Sequence, residues 1–115
     1  MPSNFLEGIF EDKRENLWIL SQDEGLFKIT KNGEITEYFN EGEQATFISS
    51  ICEDKNSNLY VGSLSHGLYS YNIEKDIFNF IEDSKNLPVK TLYINSDDEV
   101  MVGTDGRGLK IYNPV

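Results

Sequence analysis

The chain has 115 residues, enough for one ordinary domain, and a net charge of −10. Because its 20 acidic residues outnumber its 10 basic ones, nucleic acid and anionic membrane surfaces are excluded as partners. Hydrophobic residues make up 38% of the sequence, and no run approaches the roughly 20 apolar residues of a membrane helix, so we expect a folded domain without a membrane segment.

A repeat of about 41 to 42 residues runs through the whole sequence. A shift of 42 places Ile9–Lys13 on Ile51–Lys55 with closely similar residues. A further shift of 41 places Leu59–Ser63 on Val100–Thr104, so that three copies fill the chain. Four short strands per repeat of this length are typical of β-propeller blades.

Within each copy, apolar and polar residues alternate over short runs that are rich in β-branched and aromatic residues, the pattern of half-buried strands. In the first copy the pattern predicts strands at Leu6–Glu11, Leu17–Ser21, Gly25–Thr30 and Ile35–Asn40. In the second it predicts Ile48–Glu53, Leu59–Ser63, Gly67–Asn72 and Ile77–Ile81. In the third it predicts Val89–Ile94, Val100–Thr104 and Gly108–Asn113.

The sequence therefore predicts an all-β fold of antiparallel propeller blades in a single segment, 1–115. The three blades cover about 5–41, 47–83 and 88–115, and the last one lacks its outer strand. A glycine recurs at the entry to each third strand, where a positive φ or a close backbone approach is expected; these are Gly25, Gly67 and Gly108.

The segments Ile9–Ile19 and Ile51–Gly62, each followed by Gly-Leu and an aromatic residue, resemble the two-component regulator propeller repeat. The resemblance covers nearly the whole chain, although blade three has Met101 where the repeat has tryptophan. It implies a periplasmic or extracellular sensor region of a bacterial signalling receptor, commonly a hybrid histidine kinase, that helps to detect carbohydrate-derived ligands. An oligosaccharide is the ligand class that this implies.

Each blade has two apolar faces that a neighbour must cover, and three blades leave two faces bare. We therefore predict self-association through these outer faces, and two chains that close a six-blade ring are the simplest symmetric solution. The alternative to a sensor is a structural or protein-interaction module that assembles into a ring and binds no small molecule.

Residue types that could carry catalysis are better explained as parts of turns. The only histidine, His66, lies in a turn where the other copies have Glu24 and Arg107, which argues against a catalytic triad. The run that starts at Asp54 resembles a calcium loop, but Leu59 replaces the required glycine. The lone Cys52 has no second thiol for a disulfide or a zinc site. We expect no enzyme activity, no metal site and no cofactor.

Variation from blade to blade concentrates in the loops on one rim, whereas the strands repeat. The turns between second and third strands differ in charge from blade to blade, and so do the connections from the fourth strand to the next blade, Glu41–Thr46 and Ser84–Pro88. Solvated turns without a ligand are the alternative explanation. We expect any ligand contacts to come from five residues of these turns, Asp23, Glu24, His66, Asp105 and Arg107. Trp18, equivalent to Tyr60 and Met101, is instead predicted to pack between blades.

Overall fold

A computed structural model describes residues 6–21, 25–39 and 47–113. The strands of blade 1 are β1 Leu6–Glu11, β2 Leu17–Ser21, β3 Leu26–Ile29 and β4 Ile35–Tyr38. Those of blade 2 are β5 Ile48–Glu53, β6 Leu59–Ser63, β7 Gly67–Asn72 and β8 Ile77–Phe80. A short 3₁₀ helix at Glu82–Ser84 follows, and then blade 3 with β9 Val89–Ile94, β10 Val100–Thr104 and β11 Leu109–Tyr112.

Each blade is an antiparallel meander in which neighbouring strands in the sequence are neighbours in the sheet. The described residues form sheets of four, four and three strands, as the repeat predicted. The first two strands of each blade pair in the same register, shown by Phe10 opposite Trp18, Cys52 opposite Tyr60 and Tyr93 opposite Met101. The propeller-blade fold class is therefore confirmed.

Two hydrophobic clusters hold the blades together. We call the side of a blade that faces the next blade its leading face, and the opposite side its trailing face. Between blades 1 and 2 the buried residues are Trp18, Leu20, Leu26, Tyr38, Ile48, Leu59, Val61 and Tyr69. Between blades 2 and 3 they are Cys52, Tyr60, Leu68, Val89, Leu92, Val100 and Val102. The predicted role of Trp18 is confirmed, since its fully buried indole lies between the blades, with its ring centroid 5.2 Å from that of Tyr71.

A buried carboxylate closes the first hairpin of blade 1. Oδ1 of Asp12 accepts hydrogen bonds from the main-chain N–H groups of Arg14 and Asn16, both at 2.9 Å. Its Oδ2 accepts the indole N–H of Trp18 at 2.8 Å. Asp54 caps the equivalent turn of blade 2 in the same way. The aspartates at this repeat position therefore stabilise the turn, because short polar side chains satisfy the exposed amides of a tight turn.

Candidate functional site

The turn between β6 and β7 carries His66, and a hydroxyl at the strand end shapes it. Ser63 is fully buried, and its Oγ accepts the main-chain N–H of Ser65 at 3.2 Å and that of His66 at 3.1 Å. Ser65 Oγ lies 2.7 Å from His66 Nδ1. Serine favours this role because its side chain can mimic a backbone acceptor within a turn. The imidazole is thus held beside the turn by local contacts.

The same arrangement recurs in blade 3, one repeat later. Thr104 Oγ1 accepts the main-chain N–H of Arg107 at 3.0 Å, which is the equivalent of the bond from His66 to Ser63. The neighbouring Asp105 donates its main-chain N–H to the carbonyl of Pro88 at 2.9 Å. His66 and Arg107 therefore occupy equivalent turns at the same end of adjacent blades.

The 3₁₀ helix between blades 2 and 3 docks on the start of β7 through Ser84. Its buried Oγ accepts the main-chain N–H of Leu68 at 2.8 Å and donates to the carbonyl of Ile81 at 2.6 Å. Gly67 has a φ of 97°, and a β-carbon there would lie 2.4 Å from the carbonyl oxygen of Ser84. Glycine is required at this position both by its conformation and by the approach of the helix.

A cavity of about 340 Å³ opens between this turn and the docked helix. The turn forms one wall, aromatic residues of β7 and β8 form a second, and the 3₁₀ helix with the residues after it forms a third. The lining residues are Ser65, His66, Tyr69, Phe80, Glu82, Lys85 and Asn86. The Tyr69 and Phe80 rings are 5.4 Å apart between centroids. Phe80 keeps 36% of its surface exposed, so an apolar ring face is offered beside several hydrogen-bonding groups.

This lining suits a small polar ligand with an apolar face. The volume is at the lower end of the range for small-molecule sites, and donors and acceptors surround a single aromatic platform. Within the described ranges no group of three histidine, cysteine, aspartate or glutamate residues could hold a metal ion. The arrangement can bind and orient a ligand through stacking and hydrogen bonds.

The predicted site residues fare differently. His66 lines the cavity, whereas Asp105 and Arg107 are exposed in the next blade's turn and do not contribute to it. Asp23 and Glu24 lie outside the described residues. The assignment of these five residues to a ligand stays a prediction.

Sequence reasoning missed most of the cavity wall. Phe80 and Tyr69 lie on strands. An aromatic residue on a propeller strand is normally assigned to the hydrophobic core, because most such positions are buried. Glu82 falls in a 3₁₀ turn that the repeat did not predict. Lys85 and Asn86 fall in the connection after β8, which variation between blades did identify as part of the rim.

A second polar cluster lies between blades 1 and 2, away from the cavity. Asp76 Oδ1 accepts hydrogen bonds from the hydroxyls of Tyr38 and Tyr71 and from Lys28 Nζ. Burial alone would raise the pKa of Asp76, but these three donors outweigh it and lower the pKa below its ordinary value. Lys28 also lies over the rings of Trp18, Tyr38 and Tyr71 at 5.7 to 5.9 Å. The cluster is satisfied internally and has a structural role.

Comparison with known proteins identifies part of this repeat. Residues 42–65, which include β5 and β6, match the two component regulator propeller family. This match supports the resemblance noted in the sequence, and the matched segment ends one residue before His66. A comparison with curated proteins finds no match.

Solved structures share the fold at low sequence identity. The extracellular domain of the putative hybrid two component system BT4673 from B. thetaiotaomicron superposes with a TM-score of 0.77 at 22% identity over 98% of this chain. That of BT3049 from the same organism gives 0.66 at 18% identity over 95% of this chain. This chain spans only 16% and 17% of those two proteins.

The same blade arrangement also occurs in an enzyme. An inactive H270A variant of virginiamycin B lyase from Staphylococcus aureus, solved with quinupristin, gives a TM-score of 0.71 at 13% identity; the match covers 100% of this chain and 44% of the lyase. Fold likeness at this identity shows architecture and not activity. In the part of this chain that the structure describes, no helix is long and apolar enough to cross a membrane.

Proposed function

We propose that this chain is a non-catalytic, ligand-sensing propeller segment of a bacterial two-component receptor, located outside the cytoplasm. The observation that carries the proposal is the cavity beside His66. His66 is the first residue after the segment 42–65, which matches the two component regulator propeller family. The extracellular location of the structurally similar domains supports the proposed compartment.

The proposed ligand is an oligosaccharide. Sugar rings pair an apolar face with a rim of hydroxyls, and the cavity pairs the exposed face of Phe80 with polar groups that include Asn86 and Lys85. The net charge of −10 favours a neutral sugar over a polyanionic one, because a like-charged ligand would be repelled at long range.

The test is isothermal titration calorimetry of the chain with a panel of neutral oligosaccharides and matched uronic-acid oligosaccharides. Phe80→Ala and His66→Ala should each weaken binding of a neutral sugar at least about tenfold, equivalent to about 1.4 kcal/mol. Lys75→Ala is the control, because Lys75 is exposed in the turn between β7 and β8 and does not line the cavity. It should change the affinity less than about twofold.

Two results would contradict the proposal. If the wild-type chain binds no oligosaccharide of the panel, a structural or protein-interaction module that binds no small molecule becomes the better description. Binding that Arg107→Ala weakens and Phe80→Ala leaves unchanged would move the site away from the cavity.

We propose further that self-association completes the propeller ring around this site. Blade packing supports this proposal, because each internal blade face is covered by a neighbour, whereas exposed apolar residues remain on the outer faces.

A further inference from the structure

One polar contact recurs wherever a blade meets the next one. The main-chain N–H of Lys13 in blade 1 donates to both carboxylate oxygens of Glu53 in blade 2, at 3.0 and 3.2 Å. The main-chain N–H of Lys55 in blade 2 donates to Oδ1 of Asp98 in blade 3 at 3.0 Å. Lys13 and Lys55 are equivalent in the repeat. In blades 1 and 2 the first hairpin turn therefore donates a main-chain N–H to a carboxylate of the following blade.

The leading face of blade 3 repeats the donor half of this contact. The equivalent amide is that of Ser96, which is exposed and has no acceptor among the described residues. Beside it, Tyr93, Met101 and Ile111 lie opposite one another across the three strands. Tyr93 and Ile111 are 68% and 56% exposed, whereas Trp18, the blade 1 equivalent of Met101, is fully buried.

The trailing face of blade 1 carries the acceptor half. Glu11 and Glu15 occupy the repeat positions of the two acceptor carboxylates, and both are exposed. Ile9 and Leu17 occupy the positions of two blade 2 residues that pack against blade 1, and they are 67% and 39% exposed. Phe27, further from the hairpin turn, is buried. The trailing face is therefore open at the end where the carboxylates lie.

We infer that the leading face of blade 3 binds the trailing face of blade 1 in a second copy of this chain. The Ser96 amide donates to Glu11 or Glu15 of that copy, and Tyr93 packs against its Ile9. The contact is head to tail, and the same contact made twice closes two copies into a ring.

A second copy fits better than an unrelated partner because this chain carries both halves of the contact. The donor turn and the apolar residues next to it lie on one end, and the acceptors and their apolar residues lie on the other. The inference rests on the proposed ring completion and is independent of the sugar cavity. Each copy carries a charge of −10, so we expect association to strengthen as added salt screens the repulsion.

The first measurement is the solution mass of the chain by sedimentation equilibrium, at several concentrations and at two salt concentrations. We expect a concentration-dependent species of twice the 13.2 kDa monomer mass. Tyr93→Lys should shift the chain to monomer, since it places a charge on the leading face. Ile73→Lys is the matched control, because Ile73 is 44% exposed but lies in a turn of the middle blade. It should leave the mass unchanged.

The polar contact is tested by the double variant Glu11→Gln and Glu15→Gln. Removal of both carboxylates should raise the dimer dissociation constant at least about tenfold, because hydrogen bonds to charged groups are the stronger ones. The double variant Glu74→Gln and Glu82→Gln, at two exposed residues of the middle blade and the 3₁₀ helix after it, is the charge-matched control and should have no effect. His66→Ala should also leave the mass unchanged, which separates this test from that of ligand binding.

Mixing two variants tests the head-to-tail geometry. Tyr93→Lys keeps an intact trailing face and Ile9→Lys an intact leading face, so each alone should be monomeric and the mixture should form a one-to-one complex. A wild-type chain that stays monomeric at all concentrations would overturn the inference. So would an Ile9→Lys variant that still dimerises alone, since that result requires contact between two leading faces.

Discussion

The hydrogen bond between the Asp12 carboxylate and the Trp18 indole should make Asp12 contribute more to stability than the equivalent aspartate of blade 2, Asp54. Asp12→Asn keeps the shape of the side chain but can place an amide N–H₂ where Oδ2 now accepts the indole N–H at 2.8 Å. Trp18 is fully buried, so its N–H then lacks an acceptor. Loss of a hydrogen bond to a charged group costs about 1.5 to 3 kcal/mol, and we expect Asp12→Asn to lower the free energy of unfolding by that amount.

Asp54→Asn is the matched control. Asp54 accepts the equivalent two turn amides. Among the described residues its Oδ2 accepts the side-chain amide of Asn58, which is exposed and can turn towards water. We expect a loss of about 1 kcal/mol or less. Blade 3 already carries asparagine at this position, where Asn95 Oδ1 accepts both turn amides.

Urea unfolding followed by circular dichroism, at one protein concentration, measures both variants. Trp18 is the only tryptophan in the sequence, so its fluorescence reports separately on the interface between blades 1 and 2. Asp12→Asn should change the emission of the folded protein and Asp54→Asn should not. Equal destabilisation by the two substitutions, with unchanged emission in both, would refute the argument that the indole hydrogen bond distinguishes blade 1.

Three further predictions concern the turns and the blade interfaces. Gly67→Ala should destabilise the chain far more than Gly106→Ala, measured by urea unfolding, because both have positive φ but only Gly67 lies against backbone, at Ser84. Asp76 has a lowered pKa, so its stabilising contribution is present at neutral pH and is lost as the pH falls through the acid range below about 4. Asp76→Asn should therefore make the free energy of unfolding depend less on pH in that acid range. Burial raises the pKa of the Cys52 thiol to about 12, so alkylation by iodoacetamide at pH 8 should be slow in the folded protein and fast in urea, and equal rates would contradict the burial.

The periodicity of the sequence was sufficient to predict the fold. Each predicted first and second strand agrees with the structure, because alternating apolar residues between polar turns leave few alternatives for a strand of five or six residues. Gly25 and Gly67 were predicted to need a positive φ or a close backbone approach, and the structure shows both at each. The packing role of Trp18 followed in the same way from its repeat position.

The cavity could not be predicted to the same degree. His66 was identified because its turn varies between blades, but Phe80 and Glu82 reach the same cavity only because the 3₁₀ helix docks on Gly67. That docking is a contact between segments about 16 residues apart through the buried Ser84 hydroxyl, and no local pattern encodes it. The sequence by itself determined the strands, the turns and the packing faces, since these depend on neighbours at short and regular spacing. Only the tertiary structure decided which side chains surround the cavity, because that depends on how one connection folds back over its own blade.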